Sequence, residues 1–494
     1  MTSWLPILRR RGCSVLFYSY INQGYKDAYH QELLGIPKGT NFHQYVDGWV
    51  IIELDEAERF DRDFEERLAQ EAYISFFQAQ CRRISDDLFA FGRRTRDHDY
   101  SGADAGSLLF HFMEFSSLSI RAMPFLTTMV LMQDVVERQL RDKLAVAWQL
   151  QPDDELMSVR LQDLMLNGNA ELPLATQAVK DVARLARIVA ESYPGLSDTL
   201  HAGQIPTAEE LLNATEFVSA LDVHLERFDF LGTDYYVGEP LSKEQLLRQI
   251  ASLVARGRTT IEEPHHGVQE PESLPSDDRR LVETARSLHF LRQHRIEAMF
   301  KSGRDARTLL VEIGGRLGLG YEEVLALTFD ELQRSLSAGH LSVSFESITA
   351  RLDEFGVLIE NGQPEIVVGD AIGTLRANVP GLPEPADRVV GVTAYPGEHT
   401  GRVCVVDRLQ DVGNVRAGDV LIAPMTSPYH VPAMAIAGAV VTNEGGILSH
   451  AAIVSRELGI PCVVGASDAT EVFRSTSRVH VNANGVRGLV EAVT

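Results

Sequence analysis

The sequence predicts a multidomain protein, mainly α-helical through its N-terminal and central parts and α/β in its last hundred or so residues. Three observations carry that reading. The 494 residues exceed what one hydrophobic core organises, so about two to four domains are expected. From Glu56 to beyond Leu332, apolar residues recur at spacings of three and four, the signature of helices with one buried face. From Arg388 the pattern changes to short apolar runs cut by glycines, as strands require. The expected layout is a helical domain over 1–380, subdivided near 263–277, a hinge at 381–387 and an α/β domain over 388–494.

The first 55 residues are mixed. Ser14–Tyr20 fits either a strand or a helix turn, and Trp49–Leu54 reads as a strand. Aromatic residues are dense here (Phe17, Tyr18, Tyr20, Tyr45 and others), as core packing or as the wall of a pocket. Helices follow at Phe60–Arg94 and Ala103–Leu150, the latter broken at Pro124. Others cover Ala175–Ser192 and Thr207–Phe228, the second opened by a Thr207-x-x-Glu210 capping box. Ser276–Leu317 reads as one long amphipathic helix or, in preference, a pair broken near Gly303, and Thr328-x-x-Glu331 caps the next. Pro380, Pro383 and Pro385 suit a stiff tether. Seven strands are expected after it: Val389–Val392, Gly401–Val406, Asp419–Ala423, Ala439–Val441, Pro461–Val464, Val479–Asn482 and Gly488–Val493.

Composition narrows the partners. Lys plus Arg number 46 against 69 Asp plus Glu, a net charge of −23, with no long basic run. That argues against nucleic acid and anionic membrane surfaces as partners. Four scattered cysteines with no CxxC pair read as reduced thiols of a cytoplasmic protein. No metal site is expected: His265 and His266 are adjacent, and neighbouring positions of an extended chain point apart. The N-terminus carries its charges after its apolar residues, the wrong order for a secretory signal. Neither uncharged stretch, Ala122–Gln133 or the proline-broken Val420–Asn443, fits a membrane span.

One stretch concentrates the chemistry. The apolar run Ala439–Val441 enters a turn with two glycines, and a short helix is expected from Ser449 to Gly459. His450 then stands in the first turn of that helix, where unpaired amides and the positive dipole end favour an anion, above all phosphate. Neutral imidazole at such a place is a nucleophile whose phosphorylated form the helix would stabilise. An exposed helix-terminal histidine without chemistry is the alternative on turn geometry alone.

The run Thr442-x-x-Gly445-Gly446-x-x-Ser449-His450, continuing through Arg456, Gly459, Pro461 and Gly465, closely resembles the phosphohistidine signature of the PEP-utilising enzymes. That family includes phosphoenolpyruvate synthase, pyruvate phosphate dikinase and rifampicin phosphotransferase. Its matching histidine sits on a small swivelling domain and carries phosphate between two distant active sites. The resemblance implies that His450 is the catalytic phospho-carrier. It implies that Thr442, Gly445, Gly446 and Ser449 shape the phosphate cradle, while Arg456 pairs with a phosphate oxygen or an acidic neighbour. Thr426 to Pro428 matches the family's middle, and Val481 to Gly488 its end, with Asn484 where relatives usually have Asp. Leu448 stands where dikinases often carry a regulatory threonine, so that regulation is not expected.

The resemblance continues more loosely upstream, over Arg304–Leu332 and Leu225–Gly232. Relatives often place a His-Arg pair after that last glycine, beside the acceptor; here the residues are Thr233 and Asp234. Asp234, Tyr235 and Tyr236 are the tentative substrate-binding residues, with a plain turn as the alternative. No glycine-rich loop with a following lysine and acidic metal ligands is found for an ATP-grasp domain, and no length follows Thr494 for a phosphoenolpyruvate-binding barrel. The expectation is a split, ATP-dependent dikinase-type phosphotransferase. A separately encoded ATP-grasp subunit, holding ATP and Mg2+, phosphorylates His450, which passes the phosphoryl group to a small-molecule acceptor on the helical domain. Two-subunit phenylphosphate synthase divides the work in this way. The alternatives are a biosynthetic enzyme driving condensation or dehydration by transient phosphorylation, and a catalytically silent binding or regulatory homologue.

Overall fold

In a computed structural model the chain is described over residues 4–9, 14–35, 44–46, 49–68, 70–151, 157, 160–161, 164, 171–255, 257, 274–360, 363–376, 387–407, 409–426, 430–446 and 449–493. The hinge positions up to 386, the His265–His266 pair, Pro428, Leu448 and Cys13 lie outside the described residues. The described structure is mostly helical, with a closed C-terminal β-barrel. Two compact units share the chain. One comprises Met1–Leu140, Tyr235–Val237 and Glu283–Gly381; the other comprises Arg141–Asp234, Gly238–Val282 and Leu382–Thr494.

The first unit combines an antiparallel sheet with long helices. Its strands are β1 (Trp4–Arg9), β2 (Gln44–Val46) and β3 (Trp49–Glu53). Two more, β6 (Gly356–Glu360) and β7 (Gln363–Val367), come from far along the chain, and the order is β1-β3-β2-β6-β7. The ambiguous Ser14–Tyr20 stretch is helical, as part of Val15–Gly24. Ser14 caps it by accepting the Phe17 amide at 3.2 Å, and an apolar surround buries every side chain from Val15 to Tyr20. The Phe60–Arg94 region is two helices, Leu54–Leu68 and Glu71–Thr95. Pro124 begins a new helix (Pro124–Trp148) after Ala105–Ala122, at a position where its missing N–H costs nothing. By length and composition Ala105–Trp148 passes for a membrane span, yet 75% of its apolar window is buried within the protein.

Two-residue strands β4 (Thr233–Asp234) and β5 (Val237–Gly238) flank Tyr235 and Tyr236. Both tyrosines are buried among the aromatic side chains of the first unit. Tyr235 lies 4.1 Å from Phe17 and Tyr236 5.3 Å from Phe115, centroid to centroid, and Tyr236 Oη donates to Ser119 Oγ at 3.1 Å. The Tyr236 ring lies so close to Gly303 that a Cβ there would stand 2.1 Å from it. Gly303 is consequently a close-packing position inside the helix Ser276–Asp305, and the break falls three residues later, at Ala306.

Thr328 and Glu331 form their capping box on Phe329–Ala338, and Arg351 grips the same carboxylate with two hydrogen bonds of 2.7 and 2.9 Å. Burial pushes the Glu331 carboxyl up, but Arg351 and the Thr328 groups outweigh it and hold the carboxyl below its ordinary value.

The second unit has a helical half and the barrel. Helices Leu174–Ser192, Pro194–His201, Thr215–Phe228 and Lys243–Ala255 enclose an apolar core of Val182, Leu185, Phe217, Leu221, Leu246 and Ile250, among others. The Thr207–Glu210 capping box forms, but its helix stops at Leu212 and a new one starts at Thr215.

All seven C-terminal strands form: β8 (Arg388–Tyr395), β9 (Glu398–Val405), β10 (Val420–Ala423), β11 (Ala439–Thr442), β12 (Cys462–Val464), β13 (Arg478–Asn482) and β14 (Arg487–Ala492). They close in the order β10-β11-β12-β8-β14-β13-β9. The neighbours β9, β10, β11 and β12 run parallel, and β10, β11 and β12 are buried throughout, which is why they read as unbroken apolar runs. Asn484, the departure from the family's Asp, donates its Nδ2 to Glu398 Oε1 at 2.7 Å.

Within this unit the barrel packs on the helical half. The helix His450–Leu458 lies against Leu174–Ser192, and Val431–Ile436 lies against Lys243–Ala255, where Ser252 Oγ donates to the Ala435 carbonyl at 3.1 Å.

Candidate phosphohistidine site

The site forms at the carboxyl ends of β10 and β11, where parallel strands leave a crevice for ligands. Past β11 the chain turns through Asn443–Gly446 and enters the helix His450–Leu458, before returning as β12. Ser449 is the N-cap in an extended conformation, and its Oγ accepts the Ala452 amide at 3.4 Å. Gly459 closes the helix in the left-handed conformation. His450 is therefore the first helical residue, at the end where backbone N–H groups lack intrahelical acceptors and the dipole is positive.

The loop is held from within. Thr442 is fully buried, and its hydroxyl donates to the Glu444 carbonyl at 2.7 Å. Gly445 has φ +103°, a conformation that disfavours any side chain, and a Cβ there would stand 2.8 Å from the Ser449 Cβ. Gly446 differs: its Cβ position is open, with nothing within 4 Å. Asn443 ties the turn to the helix Ala469–Val472, donating to Thr470 Oγ1 at 2.7 Å and accepting the Thr470 amide at 3.0 Å. Behind the helix, burial pushes the Cys462 thiol up to about 12, so it stays protonated and inert.

Thr426 joins the site from β10, three residues beyond that strand. Its Oγ1 lies 2.9 Å from Nδ1 of His450, whose side chain is almost wholly buried. The contact holds the ring in place, and in the tautomer whose Nδ1 donates to this hydroxyl, Nε2 carries the lone pair. A nucleophilic nitrogen, fixed in orientation beside helix amides that suit a phosphoryl group, is the chemistry this arrangement provides.

Thr442, Gly445, Gly446, Ser449 and His450 thus come together in one loop and helix start. Arg456 stands in the last turn of the helix, roughly 9 Å along its axis from His450. Tyr235 and Tyr236 are core residues of the first unit, and the side chain of Asp234 lies outside the described residues. Sequence reasoning does not single out Thr426 as a site residue, since its significance depends on β10 and β11 being adjacent and parallel.

A family description, "PEP-utilising enzyme, mobile domain", matches residues 415–485, which hold β10 to β13 and the whole loop. The barrel resembles that mobile domain over these residues. Over that stretch the chain is similar to the PEP-utilising enzymes. It is 36% identical over 190 residues to phosphoenolpyruvate synthase of Pyrococcus furiosus, covering 37% of this chain and 23% of that protein. It is 48% identical over 102 residues to a probable phosphoenolpyruvate synthase of Methanothermobacter thermautotrophicus, covering 21% of this chain and 15% of that one. Rifampicin phosphotransferase of Bacillus subtilis is 29% identical over 171 residues, 34% of this chain and 19% of its own length. The chain thus spans less than a quarter of each of these relatives.

Proposed function

We propose that this chain is the carrier component of an ATP-dependent phosphotransferase. His450 takes a phosphoryl group on Nε2 and delivers it to a small-molecule acceptor held by the helical part of the protein. The observation that carries the reading is the first-turn position of His450 with its Nδ1 on Thr426, which directs Nε2 to act as nucleophile. Formation of the N–P bond leaves the charged phosphoryl oxygens beside the helix amides, which stabilise them. Thr442, Gly445 and Ser449 hold the loop for that purpose, and Gly446 leaves its outer side open. The mobile-domain match over residues 415–485 and the similarity to phosphoenolpyruvate synthases and a rifampicin phosphotransferase support the same reading.

Among the described residues, no group of three or more His, Cys, Asp or Glu side chains is arranged to hold a metal ion. The proposed steps on this chain use its own side chains and amides, and the proposed phosphoryl source is a separate ATP-grasp subunit in the cytoplasm. Bound there, ATP and Mg2+ would supply the activated phosphoryl group.

The deciding experiment incubates the protein with ATP radiolabelled at the β-phosphate and Mg2+, with and without a candidate ATP-grasp partner, beside His450→Ala. Acid-labile label that needs the partner and is lost in the variant is expected. Label formed without a partner would overturn the split arrangement. No label with an active partner would favour a silent binding protein, and free phosphate as the end product would favour the biosynthetic alternative.

A further inference from the structure

The helical half of the second unit is apolar inside, yet a carboxylate–imidazole pair is built into it. His224, on Thr215–Phe228, is 1% exposed, and its Nδ1 lies 2.8 Å from Oδ2 of Asp181 on Leu174–Ser192. Arg184 donates to the other oxygen of the same carboxylate at 2.7 Å. Burial pushes the Asp181 carboxyl up, but its bonds to His224 and Arg184 outweigh that, so it is held below its ordinary value and ionised at neutral pH. An ionised Asp181 accepts a hydrogen bond from Nδ1–H, which leaves the lone pair of His224 on Nε2. The apolar contact with Phe228, at 4.9 Å between rings, completes the orientation.

The pair also has a location. The helix that carries Asp181 packs on the helix that begins with His450. The turn Asp229–Gly232, which follows the helix of His224, packs on Val431–Ile436, the helix entered just after the Thr426 segment. The helix of Asp181 thus packs directly on the carrier domain, and the helix of His224 reaches that domain through the turn that follows it. A buried imidazole oriented by a carboxylate is the arrangement general-base catalysis uses.

We infer that His224, positioned by Asp181, is the general base that deprotonates the hydroxyl group of the phosphoryl acceptor. This rests on His450 being the phospho-carrier. The acceptor O–H bond breaks and its proton passes to His224 Nε2. The oxygen forms a bond to phosphorus as the N–P bond breaks, and that electron pair returns to the His450 nitrogen. Asp181 stabilises the imidazolium, which later releases its proton to solvent. The acceptor class is a hydroxyl compound, alcohol or phenol, with water as the poorest member.

The test starts with full-length protein phosphorylated on His450 by potassium phosphoramidate, a small donor that needs no partner. Loss of phosphohistidine is followed by 31P NMR in buffer alone and with phenol or glycerol, for wild type, His224→Gln and Asp181→Asn. The wild type should lose its phosphoryl group roughly 100-fold faster than His224→Gln in the best of these media, the range typical of general-base catalysis. Asp181→Asn should fall between them. Thermal melting and the extent of His450 labelling should match across the three proteins, which separates chemistry from folding. Equal rates of loss would overturn the role of His224 and leave the carrier reading standing. Failure of His450 to accept phosphate in the wild type would remove both.

Discussion

Nδ1 of His450 lies 2.9 Å from Oγ1 of Thr426, although 24 residues separate them in the chain. The contact exists because β10 and β11 are parallel neighbours, so the segments beyond the two strands emerge at the same end of the barrel. It fixes the orientation of the imidazole, and when Nδ1 is the donor the reactive lone pair is on Nε2. Thr426→Val should therefore slow phosphorylation of His450 by phosphoramidate roughly 5- to 10-fold, as expected for a lost hydrogen bond of about 1 kcal/mol. Thr426→Ser should restore most of the rate. Melting temperature should change little in either, and an unchanged rate in the valine variant would refute the tautomer argument.

The two loop glycines should respond differently to alanine. At Gly445 the positive φ and the close Ser449 Cβ should make Gly445→Ala costly, by about 1–3 kcal/mol in denaturant unfolding. Gly446→Ala meets open space and should fold with a stability close to wild type. If it nevertheless lost labelling at His450, the open side of Gly446 would be where the phosphoryl group approaches. Equal stability losses in both variants would contradict the described loop.

Much of the fold is legible in the amino-acid sequence. The seven strands are, because the buried ones are unbroken apolar runs, and so is the helix of His450, because Ser449 and Gly459 mark its two ends. The helical character of Val15–Gly24 is not legible. It is buried on every side along most of its length, so it shows no polar face to reveal its period. Gly303 misleads for a related reason: a glycine suggests a break, and only the ring of Tyr236 packed on the helix explains why glycine stands there. Thr426 and the Asp181–His224 pair depend on contacts between distant segments, which no local pattern encodes.

Gly303→Ala tests that packing directly. The added methyl would overlap the Tyr236 ring, so despite better intrinsic helix propensity the variant should be destabilised by about 1–3 kcal/mol. Combining it with Tyr236→Leu should recover part of the loss. Stabilisation by the single change would show that the ring does not sit there.

The Arg351–Glu331 fork predicts a pH dependence with a definite sign. Glu331 is held below its ordinary value in the folded protein, so its ionised form contributes stability above the unfolded-state pKa of about 4.3. That contribution is lost as pH falls through the lower, folded-state value. Glu331→Gln should cost about 2 kcal/mol at pH 7, since it weakens charged hydrogen bonds to Arg351 and the Thr328 cap. The gap from wild type should narrow as pH falls below the ordinary glutamate value of about 4.3, where the wild-type carboxyl is protonated first in the unfolded chain and at lower pH in the folded one. A gap independent of pH would mean the carboxylate is not the origin.

The closure of β8 to β14 into a barrel has a consequence for any carrier that travels. An open sheet that left its docking partner would bare a row of unpaired amides and carbonyls, an invitation to pair with strands of other chains. In this domain each strand has a bonded neighbour on both sides from within residues 388–492. The domain can thus cross solvent without presenting a template for aggregation.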